Sequence, residues 1–238
     1  MQHWIPIAAV LAGFAAHAAD PREVWEQAIK AKGGRDRLHS VHSLAIYMKP
    51  AEVQLPGPPT TWLCVFPDRY FEFEGRAAGS QHAMVVDRTA DRVALDATGE
   101  PRNARRLMPA EQDRLALNQL VFLLESAWLQ PQPVEARHNM LVVEAAGRTY
   151  RLSLNSASLP ERIVSPPIPG QKPKIQYEYK LQRYRDFQGV MLPARVSAIG
   201  GMRESTWDVD YEIDGKYNPK LFERMPNLAD GPEPWRLR

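Results

Sequence analysis

Hydrophobic and polar positions repeat with two different periods along this chain, and the change of period marks its elements. Val24, Trp25, Ala28 and Ile29 recur at helical spacing, so the pattern predicts a first helix from Asp20 to Lys32. Asp20 suits its N-cap, Pro21 its first turn, and Gly33-Gly34 its end. Arg35 to Val41 reads as a short second helix with Leu38 on its inner side. From Ser43 the period falls to two. Leu44, Ile46 and Met48 alternate with Ala45, Tyr47 and Lys49, and Trp62, Cys64 and Phe66 alternate with Leu63 and Val65. Turns are expected at Pro56-Gly57-Pro58-Pro59 and Pro67-Asp68-Arg69. Tyr70 to Glu74, His82 to Asp87 and Arg92 to Asp96 follow as strands, and close spacing with tight turns argues an antiparallel meander.

A long helix is predicted over Pro109 to Gln130, with Leu117, Leu120, Val121, Leu124 and Trp128 forming one apolar stripe. Pro131-Gln132-Pro133 stops it. Strands resume at Met140 to Ala145, Thr149 to Leu154 and Glu161 to Val164, and Pro166 to Pro173 reads as an exposed loop. In the last third Ile175, Tyr177, Tyr179 and Leu181 alternate with polar residues, as do Trp207, Val209, Tyr211 and Ile213. Such strands build a sheet that is apolar on one face and wet on the other. Pro219 to Arg224 closes with a helical turn. The aromatic-rich apolar face, covered by few helices, suits a concave ligand cavity and suits a dry core equally well.

The first residues change the picture of location. Ile5 to Ala16 is a short uncharged apolar stretch ending in Ala16-His17-Ala18, the small-x-small pattern of signal peptidase, so residues 1–19 read as a secretory signal peptide. Residues 20–238 are then expected to form one exported domain. No other run approaches the roughly 20 apolar residues needed to span a membrane. The densest, Leu120 to Leu129, is interrupted by Glu125. Cys64 is the only cysteine, so no disulfide can form within the chain, no lipid-anchored amino terminus is expected, and stability must come from a core. The 30 basic and 28 acidic residues are interspersed and nearly cancel, which excludes a nucleic-acid footprint. Arg102, Arg105 and Arg106 read as a solvated loop.

Catalytic signatures are absent from the sequence: there is no G-x-S-x-G, no P-loop and no H-E-x-x-H. His39 and His42 stand three apart without a third ligand nearby, and are read as a polar helix end. Cys64 faces with Trp62 and Phe66 and suits core packing. Asp208 and Asp210, the pair considered for a hydrolase, should face solvent together. No catalytic residue, metal site or cofactor is expected.

Gly33-Gly34, Leu38 and Val41-His42-Ser43, the turn Pro67-Asp68-Arg69-Tyr70, and the run Tyr184-Arg185-Asp186-Phe187-Gln188-Gly189-Val190-Met191-Leu192-Pro193 followed by Leu221-Phe222 resemble the periplasmic LolA/LolB-like lipoprotein-sorting proteins in order and spacing. The resemblance implies an α+β fold: a half-open antiparallel β-barrel with helices covering its concave face. It implies a periplasmic carrier or sensor whose partners are lipid or lipoprotein acyl chains. Trp62, Phe66, Tyr177, Tyr179, Trp207, Val209 and Tyr211 are the expected cavity wall, and Leu120, Leu124 and Trp128 the expected lid. The soluble carrier of that family has a lid-latching arginine before the proline of the Pro67 turn. Phe66 stands there in this chain and cannot donate the latching hydrogen bonds. Any lid is therefore expected to be held by packing. The alternative is an envelope interaction module with a filled core and a protein partner.

Overall fold

A computed structural model describes residues 20–51, 60–75, 81–87, 92–96, 105–106, 109–167, 176–200 and 203–222. The expected signal peptide, the Pro56–Pro59 turn, most of the Pro166–Pro173 loop and the tail beyond residue 222 lie outside them. The elements are α1 (Pro21–Lys32), α2 (Arg35–His39), β1 (Ser43–Pro50), β2 (Thr60–Val65), β3 (Arg69–Gly75), β4 (Gln81–Asp87), β5 (Arg92–Asp96) and β6 (Arg105–Arg106). Then come α3 (Pro109–Leu123), β7 (Gln132–Arg137), β8 (Met140–Ala145), β9 (Arg148–Leu154), β10 (Pro160–Val164), β11 (Tyr177–Phe187), β12 (Val190–Gly200), β13 (Arg203–Ile213) and a 3₁₀ turn (Pro219–Phe222).

The strands form one antiparallel sheet in the order β6-β5-β4-β3-β2-β1-β13-β12-β11-β10-β9-β8-β7. Each strand pairs with its successor in sequence except at one step. After β6 at one edge, the chain passes through α3 and re-enters at β7, the opposite edge, and then meanders back until β13 pairs with β1. The sheet is open, since no pairing joins β6 to β7. It is also curled. Thirteen strands spaced about 4.8 Å apart would span roughly 55 Å if flat, whereas the 15 residues of α3 are about 22 Å long. Yet one apolar core runs from Met84 and Val86 of β4 through α3 and α1 to Ala136 of β7. Only a sheet bent around its helices lets both ends share that core.

Local chemistry sets the helices as expected at α1. The Asp20 carboxylate accepts from the Arg22 backbone N–H at 2.9 Å, and Gly33 closes the helix with φ of 129°. Gly33 also lies against the β11–β12 hairpin, where Gln188 and Gly189 both take positive φ. Two positive-φ residues at the tip match the strand twist. Arg37 Nε donates to the Gln188 carbonyl at 2.7 Å, so the hairpin tip is docked on α1 and α2.

Three features differ from the sequence expectations. First, α3 stops at Leu123, because Leu124 takes φ of 66°. Ser126 then builds a tight turn, accepting from the Leu129 N–H at 3.0 Å and donating to Gln119 Oε1 at 2.9 Å. The left-handed leucine costs roughly 1–2 kcal/mol, but its side chain is fully buried. Apolar spacing beyond residue 123 therefore reports a buried turn, not more helix. Second, Gln132–Arg137 is a strand despite Pro133, which sits at the sheet's edge where a missing N–H is tolerated. Its register shifts between Pro133 and Glu135. Third, the outer face of β1 to β4 is not wet. Ala45, Leu63, Phe71, Phe73, Ala83 and Val85 form a second core capped by Leu221 and Phe222. Wet outer faces persist at β13, where Asp208 and Asp210 are exposed together.

The close approach at Gly33 generates a prediction. A Cβ there would lie 2.2 Å from the Gly189 carbonyl oxygen, whereas at Gly34 nothing lies within 4 Å. Gly33→Ala should cost several kcal/mol by displacing the hairpin, and Gly34→Ala about 1 kcal/mol through its positive φ alone. Urea unfolding of both variants measures the difference; equal losses would refute the docking.

Candidate functional site

The concave face is lined where the alternation of β1, β2, β12 and β13 turns inward. Trp207, Val209, Tyr211 and Ile213 pack on one core with Leu44, Ile46, Trp62 and Cys64. Register explains the match: Ile46 of β1 stands opposite both Trp62 and Tyr211. Of the seven residues expected in the wall, Trp62, Val209 and Tyr211 belong to this core, and Phe66, Tyr179 and Trp207 pack against it while partly exposed. Tyr177 does not join it; its ring lies against Gly200 of β12. Alternation fails at Arg183, whose φ is 55°. Leu181 and Tyr184, three residues apart, both face the core, a spacing that a regular strand forbids.

The middle of this wall is covered by α3. From Leu115 to Leu124 every side chain is buried, so the expected single stripe is replaced by a helix enclosed on all sides. Phe122 is inserted among the aromatics. Its ring meets Trp62 at 6.1 Å and Tyr211 at 6.0 Å, both edge-on, and Tyr211 continues to Phe187 at 5.0 Å. Edge-to-face pairs of this kind contribute about 0.5–1.5 kcal/mol each beyond area burial. Leu120 and Leu124 lie in the covering segment, buried in the same core. Trp128 does not. It lies beyond the helix, is 44% exposed, and presents its ring to His42 at 5.9 Å.

The two phenols behind this wall are tied to backbone. Tyr211 donates to the Pro193 carbonyl at 2.7 Å and Tyr184 to the Pro160 carbonyl at 2.6 Å. Burial holds both hydroxyls far above the ordinary tyrosine range, so they serve as neutral donors.

Polar groups, and not packing alone, hold the covering helix. At its carboxyl end Lys32 of α1 is fully buried. Its Nζ donates to the Phe122 carbonyl at 2.6 Å and to the Met191 carbonyl of β12 at 2.5 Å, with the Tyr184 ring 5.3 Å away. One ammonium thus joins α1, α3 and the sheet. Burial lowers its pKa from 10.5 to about 7.

Three residues beyond Phe122, the Glu125 carboxylate collects a second set. Trp25 Nε1 donates to it at 3.1 Å, Arg35 Nε at 2.6 Å, and His39 Nε2 lies 2.7 Å away. Arg35 also pairs with Glu26 at 2.9 Å. Burial pushes the Glu125 carboxyl upward, but the hydrogen bonds from Arg35, His39 and Trp25 outweigh it, leaving the group below the usual carboxylate range. These bonds in turn raise the Arg35 guanidinium. A cleft of about 270 Å³ opens beside this hub, reaching Arg22 and Pro131–Pro133. His39 and His42 therefore turn to different partners and do not converge.

Sequence reasoning missed Lys32 and Glu125. A lysine in the last turn of a helix ordinarily reads as a solvated complement to the helix dipole. The signal for Glu125 was present, as the charge interrupting the densest apolar run.

Two predictions follow from these groups. The unfolded chain keeps a proton on Lys32 up to about its ordinary 10.5, while the folded chain keeps it only to about 7. Between those values the unfolded state binds more protons, so stability rises with pH by at most about 1.4 kcal/mol per unit. Below pH 7 both states are charged and the cost of burying the ammonium is fully present. Lys32→Met should flatten the rise in urea midpoint between pH 7 and 10; an unchanged slope would contradict the assignment. Separately, Glu125→Ala should cost about 1–3 kcal/mol, chiefly by leaving the buried Trp25 indole N–H unpaired, whereas Glu26→Ala, at a side chain 56% exposed, should cost under about 1 kcal/mol.

No family model matches the sequence, and no curated protein matches it. Solved structures do match. A LolA superfamily protein from Nitrosomonas europaea superimposes with a TM-score of 0.51 at 14% identity, covering 86% of this chain and 98% of that one. A domain assigned to outer-membrane lipoprotein sorting from Vibrio parahaemolyticus aligns over 85% of this chain and 97% of its own, at 11% identity and a TM-score of 0.45. Nearly the whole of the Nitrosomonas protein finds its counterpart here, and with it the open antiparallel sheet and its few covering helices: this chain has the LolA-like fold.

Proposed function

We propose that the protein is a periplasmic carrier or sensor that holds a lipid-like or lipoprotein acyl chain against the concave face, without covalent chemistry, under α3 as a movable cover. The observation that carries this reading is the seat of Phe122 between Trp62 and Tyr211. The aromatic wall is covered by one helix, and that helix is fastened at its carboxyl end through the Lys32 bond to its Phe122 carbonyl and the Glu125 hub just beyond it. Such a cover can lift about its fastened end while the sheet stays intact.

Magnitudes set a chain-length requirement. Exposing Leu117, Leu120 and Val121, which precede the fastened Phe122, forfeits about 1.5–3 kcal/mol each, and each buried methylene returns about 0.8 kcal/mol. Roughly six to eleven methylenes are needed to break even by that exchange. Sixteen-carbon acyl chains should therefore displace a fluorescent fatty acid at concentrations where eight-carbon chains do not. Tyr179→Asp, at a half-buried wall position, should abolish that binding and leave the circular dichroism spectrum unchanged. Lipid mass spectrometry of the protein purified from its host supplies the independent check. No co-purifying lipid together with no binding of the fluorescent fatty acid would sink the proposal. The same enclosed Phe122 would then favour the other reading, a filled-core envelope module that docks a protein partner.

A further inference from the structure

Between Leu115 and Leu123, the buried stretch of α3, only Asn118 and Gln119 are polar. Gln119 is accounted for by the hydrogen bond from Ser126. Asn118 is not. Its side chain is 3% exposed, and its Nδ2 meets no acceptor among the described residues. A leucine at this position would pack with its neighbours, raise helix propensity and leave no buried donor unpaired. A helix that served only to fill the sheet has no use for this amide.

Its placement suggests one. Asn118 lies one helical turn before Phe122, and residues four apart share a helix face. That face meets the concave wall at Trp62 and Tyr211. Opposite Trp62 in the register of β2 and β3 stands Glu72, itself buried, whose carboxyl accepts from the Tyr70 hydroxyl at 2.9 Å. The sheet face that bears Trp62 thus also carries a buried carboxyl group on the adjacent strand, and the cover carries an amide donor. A second carboxylate is disfavoured by the first. A neutral carbonyl oxygen suits the donor and meets no like charge.

We propose that Asn118 is the polar anchor of the acyl site, donating its amide N–H to the carbonyl oxygen of an acyl ester or acyl amide, so that the site selects esterified or amidated chains over free fatty acids. This rests on the acyl-binding reading above. It assigns the ligand class by chemistry: a long acyl chain whose carboxyl end is already in neutral linkage.

The test uses the full chain, a fluorescent long-chain probe and three competitors of matched length: palmitate, methyl palmitate and heptadecane. The wild type should rank methyl palmitate above both others. Asn118→Leu should bind the ester about five- to tenfold more weakly, the effect of one neutral hydrogen bond, while heptadecane competes as before. The ester and the alkane should then become nearly equal. Asn118→Ala, which adds no bulk, should show the same loss of ester preference. If both variants keep the wild-type ranking, or if the wild type prefers palmitate, Asn118 is not the anchor and the acyl site stands without it. If the wild type binds none of the three and not the probe, the acyl-binding reading fails and this assignment fails with it.

Discussion

An open antiparallel sheet with both edges free can be threaded in few ways, and here the chain must cross once from one edge to the other. Every other connection between successive strands joins sheet neighbours. The crossing falls on α3, which enters after β6 and leaves before β7. Because the sheet is bent, the short path between its edges runs over the concave face. The cover is therefore a product of topology as much as of hydrophobicity: the segment that connects the halves of the sheet also obstructs the surface they enclose.

That arrangement accounts for where the structure concentrates its costly groups. A buried lysine, a buried carboxylate and a left-handed leucine all fall at the carboxyl end of α3 or against it. Each is unfavourable alone. Together they fix the end of the helix to α1, α2 and β12 through directional contacts. Packing alone resists sliding poorly, because apolar contacts are exchangeable; hydrogen bonds to named carbonyls are not. The hydrogen bonds that Phe66 cannot donate to this segment come instead from Lys32 of α1, from Arg35 and from His39.

Much of the fold was legible because it rests on local periodicity. Met140–Ala145 and Arg92–Asp96 come from alternation alone, and α1 from its cap, its stripe and its glycines. The inward face of β13 was legible for the same reason. Long-range facts were not. Nothing local shows that Leu221 and Phe222 would cover Phe71 and Phe73, although the apolar residues on both faces of β3 were a signal that both would be buried. Trp128 was misplaced because a buried turn keeps apolar spacing after helix geometry has ended. Lys32 could not be found at all, since its partners are backbone carbonyls 90 and 159 residues away.

The irregular strand at one edge has a consequence for the molecule as a whole. An open sheet offers unpaired backbone to any passing strand, and long flat edges invite sheet-to-sheet assembly. Here β7 begins beside Pro131, carries Pro133 inside it, loses register before Glu135 and pairs Glu135 with Arg137 in an exposed ion pair. A neighbouring chain approaching that side would find a missing donor, a kink and charge. The protein can thus keep its sheet unclosed, which a concave surface requires, without turning that border into a template for its own aggregation.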